Sequence, residues 1–220
     1  CQSDVETSSG HPTINRWVIV FGGVLVQLCL GAIYAWSAFT KVLESEPYGF
    51  SKTQTQVVFA AGLVSFAVVM ALVAGRWQAR VGPRVVSITG GLVMGAGYLI
   101  GAASGTSFLG IMIGIGLVGG AGIGLAYVCP IAALVKWFPE RKGMITGIAV
   151  AGFGFGALFW VKLTTGFKFG SVDLTPNWDG LFGAGLSPNQ VFALYGVAFA
   201  TLVSLGSLAL VNPPAGWSPG

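Results

Sequence analysis

The sequence predicts an all-α integral membrane protein built from six transmembrane helices. Three observations predict it. Hydrophobic residues make up 54% of the 220 residues and charged residues 8%, with a mean hydropathy of +0.80. Soluble domains carry about 25% charged residues, so a water-facing surface cannot be made from this composition. Six apolar segments follow one another, each of about 20 residues, the length that crosses roughly 30 Å of hydrocarbon. Glycines also recur every fourth residue, as Gly116, Gly120 and Gly124 in one segment and Gly143 and Gly147 in another, where Gly152 and Gly156 follow. Residues four apart share a helix face, and a face of glycines lets a second helix approach closely in lipid, where apolar bulk gives no net driving force.

Taken in order, residues 1–15 are polar, without apolar periodicity, and read as a disordered tail. The sole histidine, His11, lies there and reads as a solvated bystander. Cys1 opens the chain with no signal-peptide layout behind it, which reads as a truncated start. Residues 16–211 form the bundle, with crossings expected near Trp17–Phe39, Gln54–Gly75, Val85–Ala103, Phe108–Val135, Met144–Gly166 and Gln190–Val211. The fourth contains Pro130, so a kink or an early end is expected there. Residues 212–220, opening with Asn212-Pro213-Pro214, read as a helix stop entering a linker, which suggests that more protein follows.

Orientation follows from the connections. Seven of the eleven basic residues (Arg16, Arg76, Arg80, Arg84, Lys136, Arg141, Lys142) fall in the tail and alternate turns, and Lys41, Lys52, Lys162 and Lys168 fall on the other side. By the positive-inside tendency both termini are expected in the cytoplasm, in the cell (inner) membrane of the organism. The long connection 167–189 is then external. The basic turns point to the anionic leaflet rather than to nucleic acid.

The sequence offers no enzyme chemistry. Cys1, Cys29 and Cys129 show no paired spacing, so neither a disulfide framework nor a metal site is expected, and no cofactor. Gly114-Ile115-Gly116-Leu117-Val118-Gly119 fits G-x-G-x-x-G, but it lies inside an apolar helix rather than at a strand end opening a helix. None of the seven acids lies within the crossings as drawn. Intramembrane carboxylates are the usual proton relays, so exchange or facilitated movement is favoured over proton symport.

Two stretches carry a resemblance. Gly75-Arg76-Trp77-Gln78-Ala79-Arg80-Val81-Gly82-Pro83-Arg84 resembles the loop between helices 2 and 3 of the major facilitator superfamily, with Gly75, Arg80, Gly82 and Arg84 matching. Ala79 stands where that family usually has Asp, and Pro83 replaces a basic residue. Ala121-Gly122-Ile123-Gly124-Leu125-Ala126-Tyr127, the turn Trp137-Phe138-Pro139-Glu140-Arg141-Lys142-Gly143 and Ala151-Gly152-Phe153-Gly154-Phe155-Gly156 resemble the oxalate/formate antiporter branch, as do Tyr34-Ala35-Trp36 and Asn212-Pro213-Pro214-Ala215-Gly216.

The resemblance implies the N-terminal six-helix half of a twelve-helix fold, with a missing C-terminal half as its partner. It implies a secondary transporter of small carboxylates, an exchanger of oxalate/formate type, working in the bilayer on a small organic anion. Helices 1, 2, 4 and 5 would line one side of an aromatic-walled cavity, with Tyr34, Tyr127 and Phe153 as wall residues. The main carboxylate-pairing cations would lie in the absent half. Two other readings stand beside this one: a monocarboxylate-porter-like transporter, and a non-transporting six-helix receptor or assembly module. Lys162, one turn from the outer end of the fifth crossing, reads as snorkelling to the interface or as a cation drawing anions to the mouth.

Overall fold

The computed structural model describes residues 15–169, 172–173, 178–215 and 217. Among the described residues six helices are long and apolar enough to cross a membrane: α1 Arg16–Glu44, α2 Lys52–Val81, α3 Pro83–Ala103, α4 Phe108–Trp137, α5 Pro139–Thr165 and α6 Pro188–Leu208. The all-α membrane architecture is therefore as the composition and segment lengths predict. The only strands among the described residues are two-residue pieces in the long connection, Lys168–Phe169 and Val172–Asp173, paired antiparallel.

Local chemistry sets the helix starts. Asn15, assigned to the tail on sequence, is the N-cap of α1 and accepts a hydrogen bond from the Trp17 N–H at 3.0 Å. The other tail residues lie outside the described residues. Ser51 and Ser187 each close a capping box, with Gln54 and Gln190 reaching back to the cap nitrogen.

The helix ends differ from expectation in three places. The stretch 75–84, read as a turn, is helical to Val81, and Gly82 alone breaks it at φ +87°, a value glycine adopts without steric cost. Pro83 then opens α3, where its missing N–H costs no hydrogen bond. α4 does not stop early but runs through Pro130 to Trp137. α6 ends at Leu208, before Val211.

The bundle is held at very close range. A Cβ built on Gly95 of α3 would stand 2.6 Å from the Gly196 carbonyl oxygen of α6, and one on Gly196 would stand 2.8 Å from that of Gly95. Gly90 and Gly122 relate α3 and α4 the same way, at 2.7 and 2.6 Å, as do Gly22 and Gly206 for α1 and α6, at 2.6 and 2.9 Å. The ladder on α4 faces α2: Gly116 lies against Val58, Gly120 against Gly62 and Gly124 against Phe66. Gly152 and Gly156 of α5 lie against Val24 and Leu28 of α1. Gly143 and Gly147 do not pack in this way. Both are exposed and would meet nothing within 4 Å, because their side of α5 faces away from α1.

The two ends of the bundle are tied separately. At one end Arg16 pairs with Glu140 at 3.0 Å and lies 5.0 Å over the Phe138 ring. There the chain leaving α6 is bound to two helices, α3 and α4. Arg84 donates to the Leu208 carbonyl, Lys136 to Asn212 Oδ1 at 3.0 Å, and Trp137 Nε1 to the Val211 carbonyl at 2.7 Å. At the opposite end Tyr48 donates to Asn189, whose amide donates to the Ala102 and Gly105 carbonyls at 2.9 Å each. Burial pushes the Tyr48 phenol upward, the Asn189 contact opposing it, so the phenol stays protonated at neutral pH and remains a donor. The turns around Pro83 and Pro139 thus share one end, as six alternating crossings require.

Candidate functional site

The site grows from an irregularity in α1. Residues Gly31–Trp36 wind as a 3-10 helix between two α-helical stretches. At its start the absent side chain of Gly31 lets the α5 backbone at Phe153 and Ala157 press against α1. A larger residue would collide with backbone, which cannot rotate away. This contact fixes the relative height of Tyr34 on α1 and Phe153 on α5.

Phe153 is the hub. Its ring meets Tyr34 edge to face at 5.7 Å and 80°, and Tyr127 of α4 at 5.0 Å and 75°. Two phenylalanines of α2 complete the cluster: Phe59 lies 6.1 Å from Tyr34, and Phe66 lies 5.3 Å from Tyr127 and 6.4 Å from Phe153. Edge-to-face geometry sets the positive rim of one ring on the negative face of the next, contributing about 0.5–1.5 kcal/mol per pair beyond burial. Phe153 is buried beneath the cluster, whereas Tyr34 is 43% exposed and Tyr127 half-buried. Neither tyrosine hydroxyl has a hydrogen-bond partner among the described residues, so two phenol donors remain on a wall without charge.

Beside Tyr34 a cavity of about 130 Å³ is lined by Trp36, Ser37, Thr40, Gln56 and Phe59. Ser37 and Thr40 donate to carbonyls of their own helix, leaving oxygen lone pairs toward the space. Ile33 faces a smaller void of about 20 Å³ and is buried. Among the described residues no group of His, Cys, Asp and Glu could hold a metal ion.

The structure brings Tyr34, Tyr127 and Phe153 into one cluster at the junction of α1, α2, α4 and α5. It keeps Gly75, Arg80, Gly82 and Arg84 apart from it, at the end with the arginine turns. Of these Gly82 makes the turn, Arg84 binds the end of α6, and Arg80 is exposed; Gly75 sits within α2, where an added Cβ would meet nothing within 4 Å. Lys162 lies half-buried in the last turn of α5, where a cation suits the helix terminus. Sequence reasoning missed Phe59 and Phe66. Their signal was present: with Gly62 they occupy positions i, i+3 and i+7 of α2, one face of a helix.

Most other polar groups at this depth join helices. Ser207 donates to Ser87 at 2.6 Å, and Trp160 Nε1 to the Leu28 carbonyl at 2.9 Å. Tyr98 and Tyr195 are buried in a second aromatic cluster with Phe192, Phe199 and Trp160.

Comparison with known proteins gives this geometry a setting. The model of the Major Facilitator Superfamily matches residues 17–216. The uncharacterized MFS-type transporter YhjX of Escherichia coli is 30% identical over 91% of this chain and 45% of its own length. Apicoplast pyruvate carrier 1 of Toxoplasma gondii is 27% identical over 94% of this chain and 47% of its own. The oxalate:formate antiporter of Oxalobacter formigenes is 26% identical over 68% of this chain and 35% of its own. The chain spans about half the length, or less, of these curated relatives.

Proposed function

Since this chain belongs to the Major Facilitator Superfamily, and is a multi-pass integral membrane protein, we propose that it forms the N-terminal half of a secondary transporter that exchanges small carboxylates. In this reading the two six-helix halves rock about a midplane site, and the α1, α2, α4 and α5 junction is this half's wall of that site. The observation that carries the reading is the pair of unpartnered phenol hydroxyls, Tyr34 and Tyr127, held on either side of Phe153. A phenol donates to a carboxylate without itself bringing a charge out of water. The neutralising cation belongs to the other half. Relatives named for oxalate and formate and for pyruvate share the carboxylate group, and that shared group is the substrate class proposed here. The similarity to the pyruvate carrier over nearly the whole chain favours a monocarboxylate as the second reading.

The test is exchange by the complete gene product in liposomes loaded with oxalate, formate, lactate or pyruvate. Carboxylate-for-carboxylate exchange above empty vesicles is expected, and movement of none of the four would overturn the substrate class.

We further place the termini and the arginine turns in the cytoplasm, on the basic-residue count. Arg141→Cys and Arg80→Cys are expected to react with a membrane-impermeant maleimide only after the cells are opened, and Ala184→Cys in intact cells; all three positions are exposed. Cys29 and Cys129 are buried and remain silent, so of the cysteines in this chain Cys1 is the one to replace. Labelling of positions 80 and 141 from opposite sides would overturn the six-crossing topology.

A further inference from the structure

Gln27 of α1 is fully buried, with no accessible surface. Its Nε2 donates to the backbone carbonyl of Tyr127 on α4 at 3.1 Å. Its Oε1 finds no hydrogen-bond partner in the protein, one of two buried side-chain atoms so placed among the described residues, with Ser204 Oγ. The amide orientation is forced, because turning it over would set an oxygen against the Tyr127 carbonyl oxygen. A plain packing site would be filled more favourably by leucine or methionine, since a buried acceptor left unpaired is destabilising. The side chain is therefore retained for the bond it gives, not for the space it fills.

The place where that bond lands is specific. Tyr127 lies three residues before Pro130, which has no N–H to offer the α4 ladder and whose ring crowds the preceding turn. Pro130 leaves the carbonyl of Ala126, next to Tyr127, without its usual ladder donor, so the turn that carries the Tyr127 phenol is short of one hydrogen bond, and Gln27 supplies an outside donor to it. Gln27 and Tyr34 are seven apart on α1, with the 3-10 stretch beginning between them. One helix therefore presents one phenol directly and steadies the other through its backbone.

We propose that Gln27 is a positioning residue for the anion-binding phenol of Tyr127, holding its carbonyl across the α1–α4 contact so that the ring keeps its edge on Phe153; this rests on the carboxylate-exchange reading above. Gln27 touches no substrate. It acts through Tyr127, and its effect falls on affinity.

The test is a double-mutant cycle in the complete gene product, reading KM and maximal rate for oxalate, or for whichever of the four carboxylates moves. Gln27→Met, which keeps the shape and removes the donor, is expected to raise KM at least fivefold with the maximal rate within twofold. In a Tyr127→Phe background the same change is expected to alter KM less than twofold, because the group it positions is gone. Factors that simply multiply, a fall in maximal rate at constant KM, or no effect of Gln27→Met would each overturn the proposal. If Gln27→Met does not fold, Gln27→Asn, whose amide falls short of the carbonyl, is read by the same criteria. A readout free of transport separates this claim from the functional one. With 3-fluorotyrosine at position 127, a single sharp 19F resonance is expected, broadened or split by Gln27→Met. A line that Gln27→Met leaves unchanged overturns the positioning role even when exchange is seen. Absence of all carboxylate exchange together with a line that does change removes the functional reading and leaves the positioning intact.

Discussion

Tyr127→Ala in the complete gene product is expected to abolish measurable carboxylate exchange, and Tyr127→Phe to reduce it at subsaturating substrate by about tenfold or more. The two variants separate two contributions. The hydroxyl, unpartnered among the described residues, is free to donate to a carboxylate, and hydrogen bonds to charged groups contribute about 1.5–3 kcal/mol, which is about a tenfold to hundredfold effect. The ring has two edge contacts, with Phe66 at 5.3 Å and Phe153 at 5.0 Å, and alanine loses both along with the hydroxyl. Loss of that ring also frees Phe153, the one side chain that meets both tyrosines. Initial rates of labelled oxalate uptake into counter-loaded liposomes, normalised to reconstituted protein, decide the matter. Wild-type rates for Tyr127→Ala would remove Tyr127 from the wall.

A valine at Gly122 should be among the most damaging single changes in the bundle. Even a Cβ there would stand 2.6 Å from the Gly90 carbonyl oxygen and closer still to the Met94 backbone nitrogen. Both obstacles are backbone of α3, and α3 is itself clamped to α6 through Gly95 and Gly196. Overpacking of this kind costs about 1–3 kcal/mol or more; for a chain of about this size that corresponds to a melting temperature lower by roughly 5–10 °C. Gly147→Ala is the contrast, since nothing lies within 4 Å of that position and alanine is the better helix former. It is expected to leave the melting temperature unchanged or raise it. Thermal unfolding in mild detergent checks both, and equal effects at the two positions would refute the packing account.

The fold was open to reading because hydrocarbon imposes simple rules. Length and apolarity alone mark α1 to α6, but the capping serines and Pro83 went unread, and α2, α3 and α6 begin at Lys52, Pro83 and Pro188, ahead of the expected Gln54, Val85 and Gln190. What stayed hidden needed the third dimension. Four-residue spacing finds Gly116, Gly120 and Gly124, which form a stripe within one helix. It cannot find Gly22 with Gly206 or Gly95 with Gly196, because those partners belong to different helices and only tertiary register joins them. The arginine-bearing stretch 75–81 reads as a turn by its charge, yet it continues α2 as a helix that needs no apolar face there. Tyr34, Tyr127 and Phe153 were chosen through a family resemblance, and no spacing in the chain relates them. Phe59 and Phe66 could have been found from periodicity on α2, but nothing in the sequence says that this face turns toward Tyr127. Gln27 is the hardest case, since its partner is a carbonyl and every residue has one.

The backbone-to-backbone contacts that join all six helices have a mechanical consequence: Gly120 of α4 rests on the Gly62 backbone of α2 and Gly31 of α1 on the Phe153 backbone of α5, as α3 rests on α4 and α6. Where carbonyl oxygens rest on neighbouring α-carbons, there is no layer of pliant side chains to absorb sliding, so the six rods behave as one stiff block. In the exchange reading proposed above, travel between inward-open and outward-open forms is then taken up between this block and the half that meets it, not within the block.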